Sequence, residues 1–509
     1  MDSDSSRARL TKSVALALLA VWVVGVMGWT AGFPWVWDDR ALVEPDSAPL
    51  DALLTAWTED FWHLAAEDSV HDSGMYRPVV HTTYIVERAL TGGSPAFGHA
   101  VNVALHGLAA LLAALLAVRL GGPGWLAGAL LLLHPYTAEP VANIAARTDV
   151  LSTVFLLGAL LVVMPAWSER FAGAGWMRAL AAAALVLLAG LSKEVGLVAP
   201  ALFLVVAWAR RVRTPDLARA AAPAIAGAAV AVVLRALALD GGLPGGAPDP
   251  VASLASSGWV FLDLVAPVQA LSGPWLPPRS PVPGLLVLVG ILGLGAAWAR
   301  AGSREAAACI AWVLAAWLPM ADWLGAGVRD SRALVYLPLA GAAVLFAAAV
   351  ARIVGRPKRL VLTAIVPLLL LFGLLQIGAV GLWSSDLSLW ERAVSINPND
   401  PLPRINYARA QAEAGNVVVA RAVYEDAARL AFEREDAARY EIAATSVAGL
   451  ALLGGDLRDA RAWYERALAV VGPEGSPTAV RGLDRVRSLE QRSKAPYTPP
   501  PAPSSPDVP

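Results

Sequence analysis

Two adjacent carboxylates, Asp38 and Asp39, directly follow the apolar stretch that ends in Phe33-Pro34-Trp35-Val36-Trp37. A carboxylate in that position can take the proton of an acceptor hydroxyl, or two can hold a divalent metal. Further along stand Tyr76-Arg77-Pro78 with His81, and then His99, Asn102 and His106, whose spacing puts them on one helical face. His134-Pro135, Glu139, Arg147 and Asp149 form the next group, Lys193-Glu194 another, and Asp330, Arg332 and Tyr336 the last. Arginine and lysine neutralise a phosphate as it departs, which stabilises developing charge. Acids beside phosphate-binding cations suit one chemistry: group transfer from a phosphate-linked lipid donor.

Each group also has a structural reading. Paired acids after an apolar helix are often a solvated flank. The His99, Asn102 and His106 row could join helices by hydrogen bonds. Arg147 and Asp149 could be a salt-bridged loop. Three histidines at mixed spacings are a weak metal signal. Metal ligation stays open, with Asp38, Asp39 or Glu139 as its carriers and a divalent ion as the one cofactor considered.

The elements that must position these residues are membrane spans. Hydrophobic residues make up 57% of the chain and charged ones 16%, well below the roughly 25% charged of soluble domains. The apolar runs are confined to residues 1–382, whereas 383–492 reads like a soluble protein and 493–509 is proline-rich and expected to be disordered. Net charge is −1, and no nucleic-acid partner is implied. The single cysteine, Cys309, excludes a disulfide within the chain. A span needs about 20 apolar residues. About eleven candidates lie near 13–32, 99–118, 124–141, 148–165, 178–191, 195–209, 218–239, 283–299, 305–320, 333–351 and 360–382. The first follows Arg7, Arg9 and Lys12 and is read as a retained span, not a cleaved leader. The runs 178–191 and 195–209 are kept as two spans. Arg119, Arg210, Arg211, Arg213, Arg300, Arg304, Arg352 and Arg359 then share the inner side, as the positive-inside rule asks. An odd number of crossings places the polar groups and the C-terminal part outside the cytoplasm. Leu53–Leu64 and Ser256–Leu271 carry aromatic residues and read as outer-leaflet surface helices or plain loops.

The C-terminal part repeats itself. Trp390-Glu391-Arg392-Ala393, Tyr424-Glu425-Asp426-Ala427 and Tyr464-Glu465-Arg466-Ala467 recur 34 and then 40 residues apart. The first spacing is the tetratricopeptide period. Gly415-Asn416 and Gly455-Asp456 mark the turns inside each helical pair, giving two full units and a preceding half. Such repeats usually bind protein or peptide.

Taken in order, the motifs resemble the transmembrane and tetratricopeptide-repeat O-mannosyltransferases and their bacterial relatives, within the C-type membrane glycosyltransferase superfamily. The matching pieces are Trp37-Asp38-Asp39, Tyr76-Arg77-Pro78, His99-x-x-Asn102-x-x-x-His106, His134-Pro135-x-x-x-Glu139, Ala146-Arg147-Thr148-Asp149-Val150-Leu151 and Ser192-Lys193-Glu194. The resemblance implies an all-α polytopic fold followed by repeats. It further implies a polyprenyl-phosphate-sugar donor, a protein or envelope acceptor, and catalysis in the first outer loop. Asp38 or Asp39 would be the base or metal-associated acid. Arg77, His106, Glu139, Arg147, Asp149, Glu194 and Arg332 would bind substrate, and Lys193 would approach the donor phosphate. One motif departs from the pattern: Arg332 and Tyr336 are one residue further apart than in the family. The localisation implied is the inner (cytoplasmic) membrane, with the repeats on the non-cytoplasmic side. The competing reading is a non-catalytic, membrane-anchored repeat scaffold for envelope proteins.

Overall fold

A computed structural model describes residues 22, 24–25, 28–43, 49–62, 74–168, 175–239, 249–267, 269–272, 279–317, 332–354 and 359–494. Among them every regular element is helical. The fold is all-α. The chain falls into two compact units, Met1–Leu389 and Trp390–Pro509.

In the first unit, α1 (Asp39–Val43) and α2 (Pro49–Thr58) precede α3 (Pro78–Thr91) and α4 (Pro95–Arg119). Then come α5 (Gly124–Leu133), α6 (Ala138–Ala142), α7 (Arg147–Ser168), α8 (Gly175–Ser192), α9 (Ala199–Ala209) and α10 (Leu217–Ala238). The unit continues with α11 (Pro250–Val265), α12 (Pro281–Arg300), α13 (Arg304–Trp317), α14 (Tyr336–Val354) and α15 (Arg359–Gly381). Six helices among the described residues are long and apolar enough to cross a membrane, and four shorter apolar ones accompany them. Most of the expected first span, and the proline-rich tail, lie outside the described residues.

One expected span is not a continuous helix. The stretch 124–141 breaks at His134-Pro135: α5 has 10 residues and so rises about 15 Å, half of a hydrocarbon core. Pro135 is the cause, because it has no N–H for the carbonyl four residues earlier. A 3-10 turn, Pro135–Thr137, then leads into α6. Between the expected spans 178–191 and 195–209, Lys193, whose extended backbone (φ −160°, ψ 146°) follows Ser192, ends α8. The 3-10 turn Glu194–Val198 follows. There a Cβ on Gly196 would lie 2.4 Å from the Ala189 carbonyl carbon, so only glycine permits this close return. The runs 178–191 and 195–209 are therefore separate elements.

Residues 256–265 belong to α11, a helix as the first of the two expected readings had it, which buries Ser253, Ala255, Ser257, Gly258, Val260 and Phe261 and exposes Val251 and Val265. Gly258 meets the Gly284 carbonyl of α12 so closely that no side chain fits between them. Small residues permit such backbone approach between apolar helices. α3 is inverted relative to a soluble helix. It buries His81, Tyr84 and Glu87 and exposes Val86 (50%) and Leu90 (72%). That pattern fits a helix with polar residues turned to the protein interior and apolar ones to lipid.

The second unit begins within α16 (Asp386–Ile396) and continues through α17 (Pro401–Glu413), α18 (Val417–Glu433), α19 (Ala437–Leu453), α20 (Leu457–Gly475) and α21 (Pro477–Lys494). The three repeated segments fall in α16, α18 and α20. Ala408, Ala427, Ala443 and Ala444 are fully buried, and their small side chains let the helices stack closely. Asp400, Asp436 and Asp456 cap the helices that follow them. Gly415 (φ 83°) and Gly455 (φ 81°) take the left-handed conformation that ends the helices before them.

Candidate active site

The two adjacent acids have different surroundings. Trp37 adopts a left-handed backbone (φ 56°), uncommon for a bulky residue. Its N–H donates to Asp386 Oδ1 (2.9 Å), and its ring stacks on Trp383 (centroids 6.2 Å). That turn sends Asp39 inward and leaves Asp38 partly exposed. Asp39 is fully buried: Oδ1 accepts from the Ala145 N–H (2.7 Å) and Oδ2 from the Val36 N–H (3.2 Å). Burial raises its pKa to about 8, outweighing the two backbone hydrogen bonds that favour the carboxylate; the neighbouring charge of Asp38 pushes the same way as burial. Asp39 thus fastens the turn to the loop before α7, and Asp38 is the partly exposed carboxylate of the two.

Arg147 anchors that same loop from its other end. Nε donates to Asn102 Oδ1 (2.6 Å), Nη1 to Thr83 Oγ1 (3.0 Å) and Glu87, and Nη2 to Glu87 Oε2 (3.1 Å) and the Gly98 carbonyl (3.0 Å). All five guanidinium hydrogens have acceptors, and the group lies over the Tyr84 ring (4.9 Å). Asn102 in turn donates to the Asn143 carbonyl (3.1 Å), and Tyr84 Oη to the Ile144 carbonyl (2.9 Å). Arg147 is saturated, so its role is to hold residues 143–149 in place. His81, kept neutral by burial that lowers its pKa to about 4, ties α3 to the Phe61 carbonyl (2.8 Å).

Beyond the loop, Lys193 Nζ meets Asp149 Oδ2 at 2.5 Å with both side chains buried. Next to it Glu194 receives Arg77 through Nε (3.1 Å) and Nη2 (2.8 Å), with Arg235 Nη1 at 3.6 Å. Arg235 comes from the last turn of the apolar α10 and also donates to the Gly74 carbonyl. Three cations face two carboxylates here, one positive charge in excess.

Glu139 sits apart from these groups, in α6. With Pro135, Tyr136, Ala138, Ala270, Ala379, Leu382 and Trp383 it lines a small cleft. Trp383 is shared, forming one wall of the cleft and the platform under Trp37. His134 accepts the Tyr136 N–H at Nδ1 (3.3 Å), so its Nε2 carries the proton toward the Leu264 carbonyl (3.2 Å). His106 Nδ1 pairs with Tyr336 Oη (2.7 Å), linking α4 to α14.

Of the residues marked in the sequence, Asp39, Asn102, Arg147, Asp149, Lys193, Glu194 and Arg77 form one connected network through the 143–149 loop. His106 lies on the same face of α4 as Asn102 and bonds to Tyr336. Arg332 opens the 3-10 turn Arg332–Val335; its side chain, like Asp330, lies outside the described residues. Three partners were missed: Glu87, Arg235 and Asp386. Arg235 had a readable signal, a cation inside an apolar span. Glu87 and Asp386 had none, being ordinary acids in amphipathic helices. Among the described residues no three acidic, histidine or cysteine side chains converge as a metal would need, and both Asp39 oxygens already accept N–H groups.

No family model matches the chain, and no solved structure matches it. Curated proteins do. "Protein O-mannosyl-transferase TMTC1" of Homo sapiens is 36% identical over 110 residues, 21% of this chain and 12% of that protein. "Protein O-mannosyl-transferase TMTC2" of Homo sapiens is 34% identical over 124 residues, 23% of this chain and 15% of that protein. "Protein O-mannosyl-transferase F38B6.6" of Caenorhabditis elegans is 31% identical over 139 residues, 26% of this chain and 20% of that protein. The chain is TMTC-like. Its matched segment spans between about an eighth and a fifth of the length of these TMTC proteins.

Proposed function

We propose that this chain is an integral-membrane glycosyltransferase. It moves a sugar from a polyprenyl-phosphate donor to a protein or envelope acceptor on the non-cytoplasmic side of the inner membrane. One observation supports the reading: the two adjacent carboxylates are divided between a buried fastener, Asp39, and a partly exposed acid, Asp38. A scaffold would not need that division. Asp38 takes the proton of the acceptor hydroxyl as its oxygen attacks the anomeric carbon. The bond from that carbon to the donor phosphate oxygen breaks, and the phosphate leaves with the electron pair. Lys193, Arg77 and Arg235, with their excess positive charge, stabilise the departing anion. The repeats bind the protein acceptor. The names of the similar proteins support mannose as the sugar to test first.

The test is transfer of label from radiolabelled polyprenyl-phosphate mannose to protein in membranes containing matched amounts of each variant. Asp38→Asn keeps the shape and removes the proton acceptor, and should lower the rate by about 10²–10⁴-fold. Transfer at the wild-type rate by Asp38→Asn would reject the assignment of Asp38 as the base. No transfer by the wild type would favour the scaffold.

A further inference from the structure

Gln376 is a fully buried amide near the end of α15, an otherwise apolar helix. A buried polar group in such a helix needs partners, and this one has three. Nε2 donates to the Leu132 carbonyl (2.6 Å) and to Thr137 Oγ1 (2.8 Å), and Oε1 accepts from Trp22 Nε1 (3.0 Å). The first bond answers a defect made by Pro135. In an unbroken helix the Leu132 carbonyl would accept the Tyr136 N–H, but that N–H turns to His134 Nδ1. Gln376 donates to that carbonyl in its place. The second bond fixes Thr137, whose own hydroxyl caps the His134 carbonyl (2.8 Å) immediately before α6. Phe372, one turn earlier on α15, meets the His134 ring edge-on (4.9 Å).

The consequence lies in the cleft. One wall is the broken segment, with Pro135, Tyr136, Ala138 and Glu139; another is the end of α15 and the turn after it, with Ala379, Leu382 and Trp383. Gln376 bonds to the first wall from the helix that makes the second. Trp383, seven residues on, carries the Trp37 turn that presents Asp38.

We infer that Gln376 is a positioning residue: it locks the break at Pro135 and thereby sets the distance between Glu139 and the Trp383–Trp37–Asp38 platform. The inference rests on the proposed transferase reading for its kinetic arm only. Gln376→Met keeps the volume and removes both donors. It should lower kcat in the labelled-mannose assay by about 10-fold or more while KM for the donor changes less than twofold, because the basic cluster is untouched. Thr137→Val removes one of the two bonds and should cost less. The double variant should lose less than the sum of the two single losses, because both changes remove the Gln376–Thr137 contact. A second measurement needs no activity. In a Cys309→Ala background, Ala138→Cys and Ala379→Cys place thiols on the two walls for a short bifunctional thiol reagent. Cross-linking yield should fall when Gln376→Met is added. An unchanged yield overturns the inference, whether or not kcat falls. If the wild type transfers no mannose, the transferase reading fails and the cross-link still decides the positioning. Should Gln376→Met not accumulate in membranes, Thr137→Val carries the same two measurements.

Discussion

The membrane unit and the repeat unit both contain many ion pairs, yet they use them in opposite ways. In the membrane unit the pairs around the candidate site are buried: Arg147 is fully enclosed, and Lys193 and Asp149 have side-chain exposures of 7% and 3%. There the charges fix one loop against four helices, and the apolar surface faces outward. In the repeat unit the pairs decorate the surface, as with Arg421 bridging Glu425 and Asp459. Its stability comes from stacked alanines and tyrosines such as Ala427, Ala443 and Tyr424. Removing one buried ionic partner strands the other in low dielectric, whereas removing a solvated one strands nothing. The same residue types are structural in one unit and incidental in the other.

The largest expected effect tests the buried half of that contrast. Arg147→Ala leaves Glu87, Asn102 and the Gly98 carbonyl without their donor, and should cost about 3–5 kcal/mol. Folded protein in detergent, followed by size exclusion after heating, should fall sharply. Arg147→Lys should rescue little, because an ammonium cannot replace a five-donor fork. A variant as stable as the parent would remove the lock from the explanation of the site.

A smaller effect concerns Asp39. Its folded pKa, about 8, lies above that of an unfolded aspartate. Its contribution is therefore fully present below about pH 4 and is lost as pH rises toward about 8. Between about pH 5 and about pH 7 this amounts to roughly 2–3 kcal/mol. Thermal unfolding midpoints should drop over that window, and Asp39→Asn should flatten the slope. An unchanged slope would mean that Asp39 does not titrate there.

The smallest effect is expected in the repeats. Arg421→Gln breaks its two bridges at the surface, and the loss should stay within about 1 kcal/mol. Circular dichroism melting of the repeat unit, with and without added salt, would measure it. A loss comparable to that of Arg147→Ala would erase the contrast between the units.

The sequence by itself determined the helical class, the apolar runs and the repeat period, because each depends on local spacing and residue type. It also marked Asp38, Asp39, Arg77, Arg147, Lys193 and Glu194 as chemically unusual, since charge beside apolar spans is costly unless it serves something. Only the tertiary structure decided what each of them does. Asp38 and Asp39 are the same residue type one position apart, and nothing local distinguishes them. The difference comes from the Ala145 N–H, a distant backbone group that claims Asp39. Arg147 could be read as a substrate ligand until its five donors met Glu87, Thr83, Asn102 and Gly98, which approach it from two other helices. Likewise the 124–141 run has the composition of a span, but Pro135 breaks it and Gln376, more than two hundred residues later, completes the bonding at the break. Hydrogen-bond saturation depends on groups far apart in sequence, and folding is what brings them together.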